Sequence, residues 1–172
     1  IPNVQGKRVL DLGSSSGLFS LEMARMGARE VLGIDRNESI KHHSTRVPPS
    51  QDVIAQANFV KKSFELLYDT VYPIRYIPHD IGYLDSLNLG KFDFILAANV
   101  IYHELEKMPE LLRQLGKMTD HVVLQTCLAH GGSLGKWASV SRHVDILLEV
   151  GFTHIEIDAP EGYALPVIIA HK

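Results

Sequence analysis

Apolar runs of strand length alternate along this chain with stretches in which apolar residues recur every three or four positions. This alternation predicts a parallel β-sheet flanked by helices. The predicted strands cover residues 8–12, 31–35, 74–77, 92–98, 121–125, 154–157 and 166–170. The predicted helices cover about 18–26, 51–70, 109–118 and 137–150.

The order of these elements predicts how the strands are arranged in the sheet. The last two strands have no helix between them, so they are most simply antiparallel. Pro78 would remove a ladder hydrogen bond, which places the third strand at a sheet edge or ends it there. We therefore expect an α/β fold, a Rossmann-like three-layer sandwich. Its seven-stranded, mostly parallel sheet would have one antiparallel strand near the C-terminus, within a single domain spanning residues 1–172.

The first two helices carry the apolar positions expected to pack on this sheet. In the first helix these are Leu18, Met23 and Met26. In the second helix, the residues that recur with helical period are Val53, Ala57, Val60, Phe64 and Leu67.

The connection between the second and third strands is unusually long. About 38 residues separate Asp35 from Ile74, where a crossover needs roughly a dozen. Residues 36–50 therefore form an added segment, rich in basic residues and closed by Pro48-Pro49. We expect this segment to lie over a ligand pocket and to contact a polar or anionic acceptor. The alternative is a solvated surface loop.

Composition and charge exclude several classes of protein. The chain is 45% hydrophobic and 22% charged, which are ordinary globular values, and its formal net charge is −3. Binding of nucleic acid through bulk positive charge is therefore not expected. The single cysteine, Cys127, cannot form an internal disulfide, and this fits a reducing, cytoplasmic location. No apolar run is long enough to span a membrane, so no membrane partner is expected.

The informative motif is the turn from Gly13 to Gly17 after the first strand, together with Asp11 and Asp35. Small residues in such a turn allow a ligand to approach the backbone, and the following helix offers N–H groups. An acid at the end of the second strand can accept hydrogen bonds from both ribose hydroxyls. The pattern therefore predicts a site for a nucleoside-containing cofactor.

Asp11, Gly13 and Gly17 resemble the acid-x-Gly-x-Gly-x-Gly motif of class I S-adenosylmethionine-dependent methyltransferases, with Ser15 in place of the middle glycine. The resemblance implies that S-adenosylmethionine is the cofactor. It also implies that Asp35 binds the ribose and that Asp80 meets the adenine amine. The residues expected to contact the donor are Asp11, Gly13, Ser14, Ser15, Gly17, Asp35, Arg36, Asp80, Ile81 and Asn99.

A narrower resemblance is carried by residues 6–11, 26–35 and 99–103, which look like the tRNA wobble-uridine carboxymethyltransferase group. That group has an arginine near the start of its last strand for a carboxylated donor. The corresponding stretch from Glu161 to Ala170 contains none. We therefore expect ordinary S-adenosylmethionine as the donor rather than its carboxylated form.

Methyl transfer is an in-line displacement at an activated methyl group, so the protein mainly positions two reactants. No obligatory catalytic pair is needed. The candidates at the end of the fourth strand are Tyr102, which would line the donor or orient the acceptor, and His103, which would take a proton. For His103 the alternative is a helix-entry residue bonded to the backbone.

The expected function is methyl transfer to an undetermined acceptor, with a small molecule favoured. The alternatives are a tRNA wobble-uridine methyltransferase and a non-catalytic subunit that supports a partner. A nicotinamide oxidoreductase is a further class, but the glycine pattern of its fingerprint is missing. No metal site is expected, because no pair among the nine histidines has helix-face ligand spacing with a partner acid, and one cysteine cannot build a thiolate site. The sequence does not predict an oligomeric state.

Overall fold

The computed structural model describes residues 2–36, 52–98, 100–101, 106–126, 140–159 and 165–172. The strands are β1 Arg8–Leu12, β2 Glu30–Asp35, β3 Ile74–Pro78, β4 Phe94–Ala97, β5 His121–Gln125, β6 His154–Asp158 and β7 Val167–His171. The helices are α1 Leu18–Arg25, α2 Val53–Tyr68, α3 Met108–Met118 and α4 Val140–Glu149, with a 3-10 helix at Ile81–Leu87.

The seven strands form one sheet in the order β3-β2-β1-β4-β5-β7-β6. Strand β7 runs antiparallel to both β5 and β6, whereas the pairs β1–β2, β2–β3 and β4–β5 are parallel. The predicted fold class is thereby confirmed, including the single reversed strand. Strand β3 lies at the sheet edge and ends at Pro78, as the proline predicted.

The chain groups into two compact units, Ile1–Ile81 and Gly82–Lys172. In the first unit, β1 and β2 are buried along almost their whole length, as central parallel strands should be. Helix α1 packs through Leu21 and Met23 and is followed by Gly27, whose φ of 89° is the left-handed conformation expected after a helix. The expected packing of Leu18 and Met26 is wrong, because they are 63% and 37% exposed.

Helix α2 begins at an N-cap, Asp52, whose side chain accepts a hydrogen bond from the Ala55 N–H at 2.8 Å. The described helix buries only Ile54 and Ala57. Leu67, predicted to share the packed face with Ala57, is 71% exposed. The inward side is instead completed by Lys61, whose Nζ donates to the carbonyl of Ile74 at 2.8 Å.

In the second unit, α3 begins with proline in its first turn, as predicted, and buries Met108, Leu111, Leu112 and Leu115. Helix α4 buries Ile146 and Leu147, while Leu148 is 53% exposed. None of the described helices is long and apolar enough to cross a membrane.

Candidate functional site

The loop between β1 and α1 is closed against the end of β2. The N–H groups of Gly13 and Ser14 both donate to the carbonyl of Ile34, at 2.8 and 3.1 Å. The Gly17 N–H donates to the Ser14 carbonyl at 2.8 Å. Gly13, Ser15 and Gly17 have positive φ values of 72°, 48° and 82°. Alternating left-handed residues give this loop its tight curvature, and only Ser15 adopts that conformation at a steric cost.

Asp35, at the end of β2, faces this loop. Its Oδ2 accepts a hydrogen bond from the Ser15 N–H, and its Oδ1 accepts one from the Arg36 N–H, both at 2.7 Å. These bonds hold the carboxylate in one orientation. Because each carboxylate oxygen can accept two hydrogen bonds, this arrangement is compatible with two further donors such as a ribose diol. The structure thus brings together the loop and the acid that the sequence predicted.

Asp11, by contrast, is enclosed, with 1% of its surface exposed. The Ser20 hydroxyl donates to its Oδ2 at 2.5 Å. Burial raises the pKa of Asp11 to about 6; the Ser20 bond acts to lower it and the charge of Asp35 acts to raise it. Asp11 therefore holds the start of α1 through Ser20 and places a buried carboxyl beside the loop.

Tyr76 of β3 packs against two glycines of the site. A methyl group at Gly17 or at Gly33 would overlap the Tyr76 ring. The Tyr76 hydroxyl donates to the Gly17 carbonyl at 3.4 Å, and burial raises the pKa of this phenol to about 12. Sequence reasoning missed Tyr76 and Ser20. Gly33 was the available signal for Tyr76, since a glycine inside a strand marks a close approach.

The segment after β3 is hydrogen-bonded to the end of β2, next to the same loop. The His79 N–H donates to the Asp35 carbonyl at 2.8 Å. Asp80 then meets Arg36 in an ion pair of 3.4 Å between Oδ1 and a guanidinium nitrogen, and both side chains are about one-third exposed. Ile81 follows with only 3% of its surface exposed. Arg36 and Asp80, two residues predicted for the donor, are therefore neighbours.

Three other predicted site residues, Asn99, Tyr102 and His103, lie outside the described residues, as do residues 37–50 of the added segment. Within the described ranges, no group of three or more His, Cys, Asp or Glu side chains is arranged to hold a metal ion.

Three features of the first unit fit a ligand that carries both a diol and an amino-acid group. Asp35 presents a fixed carboxylate, and the N-cap residue of α1, Gly17, provides no side-chain cap for the first N–H groups of the helix. Among the described residues, the Ser14 hydroxyl is buried without a hydrogen-bond partner. A ligand carboxylate at the start of α1 would accept hydrogen bonds from the uncapped N–H groups, and a pair of ligand hydroxyls would donate to Asp35.

A family model described as "Methyltransferase domain" matches residues 2–161. The chain belongs to this family. It is a class I S-adenosylmethionine-dependent methyltransferase domain, as the motif around Asp11 and Gly13 predicted.

Curated relatives of this methyltransferase domain include the tRNA U34 carboxymethyltransferase of Shewanella amazonensis. It is 30% identical over 127 residues, which cover 73% of this chain and 33% of the relative. The ribosomal protein L11 methyltransferase of Geobacter sulfurreducens is 28% identical over 121 residues, which cover 70% of this chain and 32% of the relative. The chain thus spans about a third of the length of the curated relatives it matches.

Solved structures share the fold of the methyltransferase domain. Magnesium protoporphyrin IX methyltransferase from Synechocystis PCC 6803, crystallised with bound SAM, has a TM-score of 0.70 at 20% identity; the match covers 99% of this chain and 72% of that one. An S-adenosylmethionine-dependent methyltransferase from Mesorhizobium loti has a TM-score of 0.70 at 18% identity, covering 100% and 94% of the two chains.

Proposed function

We propose that this protein transfers a methyl group from S-adenosylmethionine to a small-molecule acceptor, with the ribose of the donor bound at Asp35. The observation that carries the proposal is the Asp35 carboxylate, held by two backbone N–H groups at 2.7 Å directly at the glycine-serine loop. This arrangement suits the hydroxyl pair of a ribose.

The other residues proposed to contact the donor come directly after the carboxyl ends of the strands. The amino-acid part of the donor rests on the loop from Gly13 to Gly17, with its carboxylate at the start of α1. The adenine amine meets Asp80, which Arg36 orients through their ion pair. We further propose that Ile81 and Asn99 border the adenosine, as the family resemblance implies.

The bound cofactor supplies a methyl group on a positively charged sulfur, which is already an activated leaving group. The protein's part is therefore to hold the acceptor in line with that methyl, and positioning of this kind supplies on the order of 7–11 kcal/mol. Asp11 and Asp35 favour the cationic donor through their negative charge. We assign the acceptor side to Tyr102, which orients the acceptor, and His103, which takes a proton from it.

The net charge of −3 favours a small acceptor over a nucleic acid held by bulk charge. The second candidate acceptor is a tRNA wobble uridine, because relatives of about 30% identity carry the name tRNA U34 carboxymethyltransferase. The donor in either case is proposed to be S-adenosylmethionine itself, since no arginine lies between Glu161 and Ala170. The cytoplasmic location, argued from Cys127, stays a prediction.

The test uses S-adenosylmethionine with a labelled methyl group, offered together with a low-molecular-mass cell extract or with bulk tRNA. Label in the small-molecule fraction supports the proposal, and label in tRNA establishes the second candidate instead. Label in neither, combined with tight donor binding and a stable protein complex, would make the chain a non-catalytic subunit. The matched control is Asp35→Asn, which at a donor concentration below saturation should strongly reduce transfer in whichever fraction is labelled.

A further inference from the structure

Helix α2 presents a strongly apolar surface to solvent. Phe59 and Leu66 are each 73% exposed, Leu67 is 71% exposed and Val71, just beyond the helix, is 84% exposed. With Ser63, which helical spacing places between Phe59 and Leu66, these residues form what we call the α2 patch. Isolated exposed apolar residues are ordinary, but three on one face of a helix, with a fourth just beyond its end, mark a contact surface.

The α2 patch cannot be buried by a rotation of the helix within its own chain. The opposite side of α2 is fixed by Ala57, which is fully buried, and by the 2.8 Å hydrogen bond from Lys61 to the Ile74 carbonyl. Turning Leu66 inward would expose Ala57 and break that bond. Within the described residues, the patch therefore stays on the outer side of α2, where another molecule can reach it.

The size of the α2 patch is compatible with self-association. At about 150–200 Å² for each fully exposed apolar side chain, its four apolar residues expose on the order of 500 Å². Two such patches facing each other would bury about 1,000 Å², the lower limit for a specific protein interface. Interfaces at this lower limit belong to weak or transient complexes.

Ser63 is suited to the crossing point of two such helices. Its hydroxyl donates to the Phe59 carbonyl at 2.9 Å within the same helix, so it needs no water when covered. Its small side chain allows two helices to approach closely, with the larger residues on either side of it. Helix α2 has 16 residues and is about 24 Å long, which is enough for several turns of contact.

Charge around the α2 patch also favours a second copy over an anionic surface. Lys61 and Lys62 both lie near Glu65, at 3.6 and 3.7 Å, so this carboxylate offsets their positive charge. A helix that binds a lipid surface would instead present a basic rim beside its apolar face.

We propose that the chain forms a two-fold symmetric dimer in which the α2 patches of two copies pack antiparallel, with Ser63 at the axis. Phe59 of one copy then packs against the partner's Leu66 and the partner's Leu67. An isologous contact of this kind closes on itself and leaves no second patch exposed.

Sedimentation equilibrium of the unmodified protein up to about 100 μM tests this proposal. The expected mass is twice that of one chain, and Leu66→Glu should weaken association at least tenfold. The matched control is Leu148→Glu, the same change at a 53% exposed leucine of α4, which should leave the dimer intact. A monomer at the highest concentration, or a dimer that survives Leu66→Glu, would overturn the proposal.

Cross-linking tests the position of the axis. In a Cys127→Ser background, Ser63→Cys should form a disulfide-linked dimer on mild oxidation. Ser86→Cys is the control, because Ser86 is exposed and its hydroxyl likewise donates to a carbonyl three residues earlier, that of Tyr83. No cross-link at position 63, or equal cross-linking at both positions, would contradict the antiparallel arrangement.

Discussion

Replacing Asp11 with asparagine should change how the stability of the protein depends on pH. Burial raises the pKa of this carboxyl from 3.8 to about 6. At about 1.4 kcal/mol for each tenfold change in proton affinity, the ionised form costs folding about 3 kcal/mol at neutral pH. The cost arises because the charge is removed from water and only partly compensated by Ser20.

The sign of the pH dependence follows from proton binding. Between about pH 4 and pH 6 the folded protein holds a proton on Asp11 that the unfolded chain has lost. The free energy of unfolding contributed by this group therefore falls as pH rises through that window. The difference in unfolding free energy between the unmodified protein and Asp11→Asn should fall by about 2 kcal/mol between pH 4 and pH 7, because the unfolded carboxyl is already more than half ionised at pH 4.

Urea unfolding of both proteins at several pH values measures this difference. The subtraction cancels the contributions of titrating groups that both proteins share. Ser20→Ala provides a second check. It removes the hydrogen bond that acts to lower the pKa of Asp11, so the loss of stability should extend to higher pH. A difference that is constant with pH, or that rises with it, would refute the argument.

Two further substitutions probe the neighbourhood of the loop. In urea unfolding, Gly17→Ala should lower the free energy of unfolding by about 1–3 kcal/mol more than Gly6→Ala does. Both sites have positive φ, but only Gly17 lies against the Tyr76 ring. Equal losses at the two sites would contradict the close packing. Arg36→Ala should change stability by less than about 1 kcal/mol, since its ion pair with Asp80 is partly exposed. The same change should weaken donor binding about two- to tenfold by calorimetry, as expected when Asp80 loses the group that orients it; unchanged binding would remove that role.

Strand positions were the most predictable part of the fold. Buried parallel strands are apolar along their length, so β1 and β5 were predicted residue for residue. Pro78 also predicted that the third strand lies at the sheet edge. The absence of a helix between the last two strands predicted that one of them is reversed. The helix faces were less predictable. Leu67 has the correct period to pack in α2, yet Lys61 occupies the inward side by binding a strand-end carbonyl.

The predictable part of the site was the part that depends on backbone geometry. Small residues before α1 and an acid after β2 are local features, and the structure brings Asp35 to the loop as expected. Ser20 and Tyr76 were missed because their roles depend on packing between elements distant in sequence. A serine on a helix and a tyrosine in a strand have many ordinary explanations when only the sequence is known.

Asp35 is the residue proposed to hold the ribose of the methyl donor, and every other donor contact is placed relative to it. Calorimetric titration of S-adenosylmethionine into the unmodified protein, Asp35→Asn and the exposed control Asp158→Asn tests this role directly. Two hydrogen bonds to a charged carboxylate, at about 1.5–3 kcal/mol each, predict that Asp35→Asn weakens binding more than tenfold while Asp158→Asn does not. An unchanged dissociation constant for Asp35→Asn would contradict the proposed site.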